Sequence, residues 1–197
     1  MGDGLRWLVE GEEWYFGVVF ARGVTPGELA VRMGGVAGSV PSPVTGAQAW
    51  GVVMDDGTDD ESVVRVGAYQ GWSFALEYGI PGGVERLAEV SRGGVEAVRL
   101  DPQPDHPPRQ FAYARDGVAV CSFGLGEEVW RWGSQPDFLL EELVRAGVLR
   151  PDGESARPEG EDGEDAERAT LAVIEARFGL GLPRDVEEAA LPAFVIR

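Results

Sequence analysis

The sequence predicts an α+β fold: a mostly antiparallel sheet with short helices packed on one face, plus a C-terminal helical segment. Runs rich in aromatic and β-branched residues recur along the chain, as is typical of strands. Short apolar stripes at helical spacing follow some of these runs. An Asp-Gly dipeptide between two alternating stretches indicates a tight hairpin, and a hairpin pairs its strands antiparallel.

The first unit is a strand followed by a helix. The run from Trp14 to Ala21 has the aromatic and β-branched composition of a strand that is covered on both faces. Thr25 then starts a helix, because its hydroxyl can accept from the Glu28 N–H while the Glu28 carboxylate reaches back. Pro26 occupies a position where no donor is needed. Gly34-Gly35 ends the helix, since glycine adopts the left-handed conformation.

The second unit has two strands, a helix and a third strand. Val63 to Val66 and Trp72 to Tyr78 have strand composition and are separated by glycines. An apolar stripe over residues 84–88 predicts the helix, and residues 95–100 predict the next strand.

The third unit begins with the hairpin "FAYARDGVAVCSF", which turns at Asp116-Gly117. The stretch "EEVWRWGSQPDFLLEEL" follows it and raises the question of function. Its first half predicts a strand end with Trp130 and Trp132 on the same face. Its second half predicts an amphipathic helix capped by Ser134.

Composition divides the chain into three parts. Residues 1–150 form the predicted α+β domain. Residues 151–167 carry eight acidic residues, one Arg and no large apolar residue, which predicts a flexible acidic linker. Residues 168–197 return to a helical pattern. Because short helices cannot bury an apolar face alone, we expect this C-terminal helical segment to dock on the domain or on another copy.

The charge of the protein limits its partners. The formal net charge is −17, and all 17 basic residues are Arg, with no cluster that could neutralise phosphates. We therefore expect neither nucleic acid nor an anionic membrane as a partner. A basic protein partner is permitted, and the alternative is that the acidity serves only solubility. The single cysteine and the lack of a long apolar run predict a cytoplasmic protein.

The sequence predicts no catalytic residue, no cofactor and no metal site. His106 is the only histidine and lies in a proline-rich connector, where we expect it to face solvent. Cys121 lies in an apolar run, where thiols are usually inert. Residues 55–61 hold acids in adjacent pairs rather than at the alternating positions of a calcium loop, so they predict an exposed acidic turn.

Three motifs together resemble a known family: "VVFARGVTPGEL", "VRVGAYQGWSFALEYG" and "WRWGSQPDFLLEEL". They are similar to an actinobacterial family of uncharacterised proteins, a domain of unknown function of the 6461 type, over about residues 10–150. Gly27 stands where that family more often has an acid. The resemblance implies no established activity. It implies that certain positions belong to the family pattern, for fold or for function: Gly67, Tyr69, Gly71, Trp72, Glu77, Arg131, Trp132, Gly133 and Ser134.

These observations favour a non-enzymatic intracellular binding protein that acts through protein–protein contacts, as an immunity-like or regulatory partner of a basic protein. Two alternatives stay open. One is a small-ligand-binding protein or carboxylate-dependent hydrolase with a pocket near Glu77 and Trp132. The other is a structural or oligomer-forming protein that associates through the C-terminal helices. The candidate binding residues are Tyr69, Trp72, Glu77, Trp130, Arg131, Trp132 and Ser134.

Overall fold

The computed structural model describes residues 3–10, 14–36, 42–55, 62–79, 83–103, 108–157 and 163–196. His106, most of the acidic turn (56–61) and residues 158–162 of the predicted linker lie outside them. Eight strands form one sheet: β1 Gly17–Arg22, β2 Ser42–Val44, β3 Ser62–Tyr69, β4 Trp72–Tyr78, β5 Glu96–Asp101, β6 Gln110–Arg115, β7 Val118–Gly124 and β8 Leu191–Ile196.

The strand order is β2-β8-β3-β4-β1-β5-β6-β7, and each neighbouring pair is antiparallel. This confirms the mixed class with an antiparallel sheet. A short 3-10 helix, Arg6–Val9, precedes the sheet. The α-helices are α1 Pro26–Arg32, α2 Gly46–Asp55, α3 Gly83–Val90, α4 Leu140–Arg145 and α5 Gly163–Phe178.

Helices cover both faces of the sheet, so the prediction of helices on one face was wrong. On β1, Val18 and Phe20 belong to one apolar cluster, together with residues of α2, α4 and α5. Val19 and Ala21 belong to the other cluster, with residues of α1 and α3. The physical reason is visible in β1 itself: its apolar run is continuous, and such a strand requires cover on both sides.

The C-terminal part is helical only as far as Phe178. Beyond it, β8 pairs with β2 on one side and β3 on the other, although the sequence predicted a helical segment to residue 197. The run "LPAFVI" satisfies the open edge of β3, and this tertiary pairing overrides the helical pattern. Helix α5 begins at Gly163, inside the predicted linker. Glu164 and Asp165 lie in its first turn, where acids are favoured by the helix dipole.

The predicted hairpin turn is confirmed, and the predicted cap of the first helix is confirmed in part. Asp116 and Gly117 turn the β6–β7 hairpin with φ of 50° and 81°, as a type I′ turn requires. The Thr25 hydroxyl accepts from the Glu28 N–H at 3.2 Å. The Glu28 carboxylate does not close the second half of the capping box. It pairs with Arg32 at 2.8 Å instead.

Candidate functional site

Two tryptophans are exposed to solvent beside β7, one of the two edge strands of the sheet. Trp130 is 75% exposed and Trp132 is 45% exposed. The expected continuous strand is absent here, because residues 127–130 form a turn closed by the Trp130 N–H to the Glu127 carbonyl. Trp132 then exchanges two backbone hydrogen bonds with Ser122 of β7, at 2.8 and 2.9 Å.

Ser134 does not cap a helix, so that prediction was wrong. Its hydroxyl donates to the Ala119 carbonyl at 2.9 Å, and its N–H donates to the same oxygen at 3.1 Å. Helix α4 begins only at Leu140. An edge strand has unpaired backbone groups, and Ser134 satisfies one of them on β7. Gly133 permits this approach: its φ is 123°, and a Cβ there would lie 2.4 Å from the Val120 carbonyl oxygen.

Arg131 holds the two tryptophans in place. Its Nε donates to Asp137 Oδ1 at 2.7 Å, and its Nη1 donates to the carbonyls of Glu128 and Gly153 at 3.2 and 3.3 Å. Only 14% of its side chain is exposed. The guanidinium is therefore occupied within the chain, and it positions the tryptophan loop.

Glu128 anchors the same loop to helix α5. Its buried carboxylate accepts from the Gly126 N–H at 2.7 Å and from the Thr170 hydroxyl of α5 at 2.5 Å. Arg157 lies 3.8 Å from the second carboxylate oxygen and donates to the Gly126 carbonyl. These bonds make the loop around Trp130 a fixed part of the surface.

Tyr69 and Trp72 lie at the other end of the candidate set, on the β3–β4 hairpin. Trp72 is buried, donates to the Phe178 carbonyl at 3.2 Å and carries Arg22 over its ring at 4.7 Å. The Tyr69 hydroxyl accepts from the Asp3 N–H at 2.9 Å. Trp72, a candidate binding residue, is therefore part of the core, and so is Trp14.

Glu77 belongs to a buried ionic group on the α1/α3 face of the sheet. Arg99 approaches Glu77 at 3.1 Å and Asp101 at 2.8 Å, and all three side chains are buried. Three strands separate β4, which carries Glu77, from β7 beside Trp132. A single pocket near Glu77 and Trp132 is therefore wrong, because the two residues are distant in the sheet. Spacing along the chain contains no information on this strand order.

An aromatic cleft of about 800 Å³ lies elsewhere, and the sequence reasoning missed it. It is formed by the 3-10 helix, the approach to β1, the start of α2 and the turn before β8. Two of its tryptophans differ in whether the indole N–H has an acceptor. Trp7 donates to the Leu182 carbonyl at 3.0 Å. The buried Trp50 Nε1 has no acceptor among the described residues. The lining of the cleft includes Trp7, Trp14, Tyr15, Trp50, Glu187 and Glu188.

Arg65 bonds to Glu187, which lines the aromatic cleft. It is fully buried on β3 and donates to the Tyr78 hydroxyl at 2.6 Å and to Glu187 at 3.0 Å. It also donates to the carbonyls of Val44 and Val186, at 3.0 and 2.8 Å. Burial, followed by the negative charge of Glu187, raises the pKa of Tyr78 far above its ordinary value. The Tyr78 hydroxyl therefore stays a neutral donor.

Other routes to chemistry can be assessed from the described parts of the chain. No group of three or more His, Cys, Asp or Glu residues there could hold a metal ion. No helix there is long and apolar enough to cross a membrane. Cys121 is buried, and burial raises the pKa of its thiol to about 11. Its sulfur lies 3.2 Å from the Pro136 carbonyl, to which the thiol donates.

The sequence comparisons place the chain in a family. Residues 6–189 match the model of a family of unknown function, DUF6461, and the chain belongs to that family. This confirms the resemblance carried by the three motifs, while the actinobacterial origin stays a prediction. No curated protein and no solved structure matches the chain.

Proposed function

We propose that the protein is a non-enzymatic, intracellular binding protein whose contact site is the tryptophan surface, and that its partner is a basic protein. The tryptophan surface consists of the exposed rings of Trp130 and Trp132 with the exposed acids beside them. One observation carries the proposal: two neighbouring indoles are open to solvent on a loop that the fold holds rigidly.

The two exposed tryptophans are the main reason to regard this surface as a contact site. Tryptophan is enriched among the residues that dominate binding energy at interfaces, because it removes a large apolar area from water. Arg131 and Glu128 fix the loop before any partner arrives. A site that is already ordered loses less conformational entropy on binding, so a given contact area yields higher affinity.

Charge around the rings favours a basic partner. Glu127 is the first residue of the turn, and Asp152 and Glu154 flank Gly153, whose carbonyl contacts Arg131. These three acids are exposed, and the whole chain carries a formal charge of −17. Complementary charge mainly accelerates association. Regulation of a basic protein, or neutralisation of one in the manner of an immunity protein, is the role that such a surface fits.

The experiment compares three immobilised proteins in affinity capture from the native host: wild type, the double variant Trp130→Ser/Trp132→Ser, and Met54→Ser. Met54 is also 75% exposed and lies on α2, so it is a matched control. We expect one basic protein to be retained by wild type and Met54→Ser and lost by the double variant. Equal retention by the double variant would overturn the proposal.

The purified complex then tests the charge argument. We expect the association rate to fall steeply as salt rises, because the steering field is screened beyond about 10 Å at 0.1 M salt. A rate that is insensitive to salt contradicts a basic partner. If light scattering instead finds a dimer that the double variant abolishes, the occupant of the surface is a second copy of this chain.

A further inference from the structure

The aromatic cleft is separate from the tryptophan surface, since none of its lining residues belongs to that surface. We propose that this cleft binds a small organic cation, an alkylammonium group attached to a hydrogen-bond acceptor such as a hydroxyl. The inference is independent of the proposed protein partner. It rests on ring arrangement, charge and one buried donor.

The rings form a corner rather than a stack. The planes of Tyr15 and Trp50, which both line the cleft, meet at 69° with centroids 6.4 Å apart. Trp7 also lines the cleft and is partly exposed. Perpendicular rings can present several π-faces to one point, which is the arrangement that holds alkylammonium groups through cation–π attraction.

The walls leave negative charge uncompensated. Glu187 is neutralised by the buried Arg65 at 3.0 Å, and Arg184 is held by Glu10 at 2.9 Å. Glu188 is exposed and makes no ion pair within the part of the chain that the structure describes. An anion would therefore meet a carboxylate and no available base, whereas a cation would meet both a carboxylate and aromatic faces.

Trp50 adds a requirement for an acceptor. Trp50 lines the cleft, and its Nε1 is buried without a hydrogen-bond partner among the described residues. A buried donor is normally satisfied. A ligand oxygen that accepts from this N–H would remove the unsatisfied group, so an ammonium alcohol should bind more tightly than the bare ammonium ion.

The test uses choline, tetramethylammonium and 3,3-dimethylbutan-1-ol, the neutral isostere of choline, each titrated calorimetrically into the full chain. We expect choline to bind, tetramethylammonium to bind more weakly, and the neutral isostere to bind at least about tenfold more weakly than choline. Absence of choline binding up to about 10 mM, or equal binding of the isostere, would overturn the proposal.

Variants separate the two contacts. We expect Glu188→Gln to weaken choline binding about three- to tenfold, whereas Glu141→Gln, the same change at an exposed carboxylate on α4, leaves it unchanged. Trp50→Phe keeps an aromatic face but removes the N–H, so it should weaken choline and leave tetramethylammonium unaffected. If Glu188→Gln binds choline as wild type does, the charge assignment is wrong.

Two controls keep the outcome interpretable. Thermal unfolding of each variant establishes that the fold is intact. The Trp130→Ser/Trp132→Ser variant should bind choline normally, so loss of the protein partner and loss of the cation are distinguishable results.

Discussion

Arg65 shows how a single charged side chain can organise a site. It lies on β3 among apolar neighbours, and every nitrogen of its guanidinium donates to a carbonyl, a hydroxyl or a carboxylate. An arginine at such a place is stable only when its donors are all satisfied. Through Val44 and Val186 it joins β2 to the turn before β8, and this turn lines the aromatic cleft.

We expect Arg65→Met to lower the free energy of unfolding by about 3–5 kcal/mol, because it leaves several carbonyls and the half-buried Glu187 without their partner. Urea unfolding measures this difference. Arg184→Met is the matched control, since Arg184 and Glu10 form an exposed pair, and its effect should stay within about 0.5 kcal/mol. A loss of under about 1 kcal/mol for Arg65→Met would contradict this account.

The carboxyl group of Glu96 makes the stability of the protein depend on pH. Burial by itself would raise its pKa, but hydrogen bonds from Arg22 and Tyr113 outweigh burial and lower the pKa below the ordinary 4.5. A depressed carboxyl pKa contributes stability above the unfolded-state pKa, and this contribution is lost as pH falls through the folded-state pKa. We expect Glu96→Gln to lose less free energy of unfolding than wild type between pH values of about 5 and 3.

The measurement is urea unfolding at a series of pH values. Glu141→Gln serves as the control, because Glu141 is exposed and makes no ion pair within the described residues. If Glu96→Gln follows the wild-type curve through the acid range, the Arg22 and Tyr113 bonds contribute nothing to pH-dependent stability.

At the scale of elements, the edge strand β7 is covered by its own downstream chain. Residues 132–135 run along it and supply four backbone hydrogen bonds, which end the sheet without leaving a long open edge. Gly133 makes this possible, because a φ of 123° and a contact with the Val120 carbonyl exclude a side chain.

We expect Gly133→Ala to lower the free energy of unfolding by about 2 kcal/mol or more, through backbone strain and loss of the β7 contacts.

Gly51→Ala is the opposite case. Gly51 lies inside α2, and among the described residues no heavy atom beyond its own helix backbone lies within 4 Å of the position that a Cβ would take. Alanine there should therefore stabilise the protein by about 0.5–1 kcal/mol. Chemical unfolding of both variants checks the pair. Equal effects would mean that backbone conformation does not decide the outcome.

Features that depend on neighbours in sequence were predicted, whereas features that depend on residues far along the chain were not. The Asp116-Gly117 hairpin and the Thr25 cap depend on neighbours in sequence, and both were predicted correctly. Strand β8 and the bonding of Ser134 to β7 depend on partners far along the chain, and both were missed. The aromatic cleft was missed for the same reason, since Trp7 and Trp50 meet only after the chain folds.

The sequence pattern also did not determine whether Trp130 and Trp132 are exposed or buried. Trp130 and Trp132 have the same composition signal whether they are core or contact residues, because tryptophan is common in both places. Only the turn at residues 127–130, which displaces Trp130 from the strand line, decides that its ring faces solvent. Arg131 was grouped with them as a contact residue, and its bonds instead give it a positioning role.

At the scale of the whole molecule, the net charge of −17 sets the response to salt. Like charges repel one another more strongly in a compact state than in an open chain, so this excess of acids opposes folding. We expect the melting temperature to rise by a few degrees between about 0.02 and 0.5 M sodium chloride, because added ions screen the repulsion.

Differential scanning calorimetry measures the shift. The control is the same salt series near the isoelectric point of about 4.4, where the net charge is close to zero and the rise should disappear. A fall in melting temperature at neutral pH would mean that the ion pairs stabilise the fold more than the excess charge opposes it.

The position of β8 has a consequence for the order in which the molecule is made. A ribosome delivers β2 and β3 well before β8, and β2 joins the sheet only through that last strand. During translation the outer edge of β3 therefore stays unpaired until β8 is made. The neighbouring strands β3, β4, β1, β5, β6 and β7 can already pair in that order. A nascent chain arrested before Leu191 presents an unprotected edge of the kind that chaperones shield from aggregation.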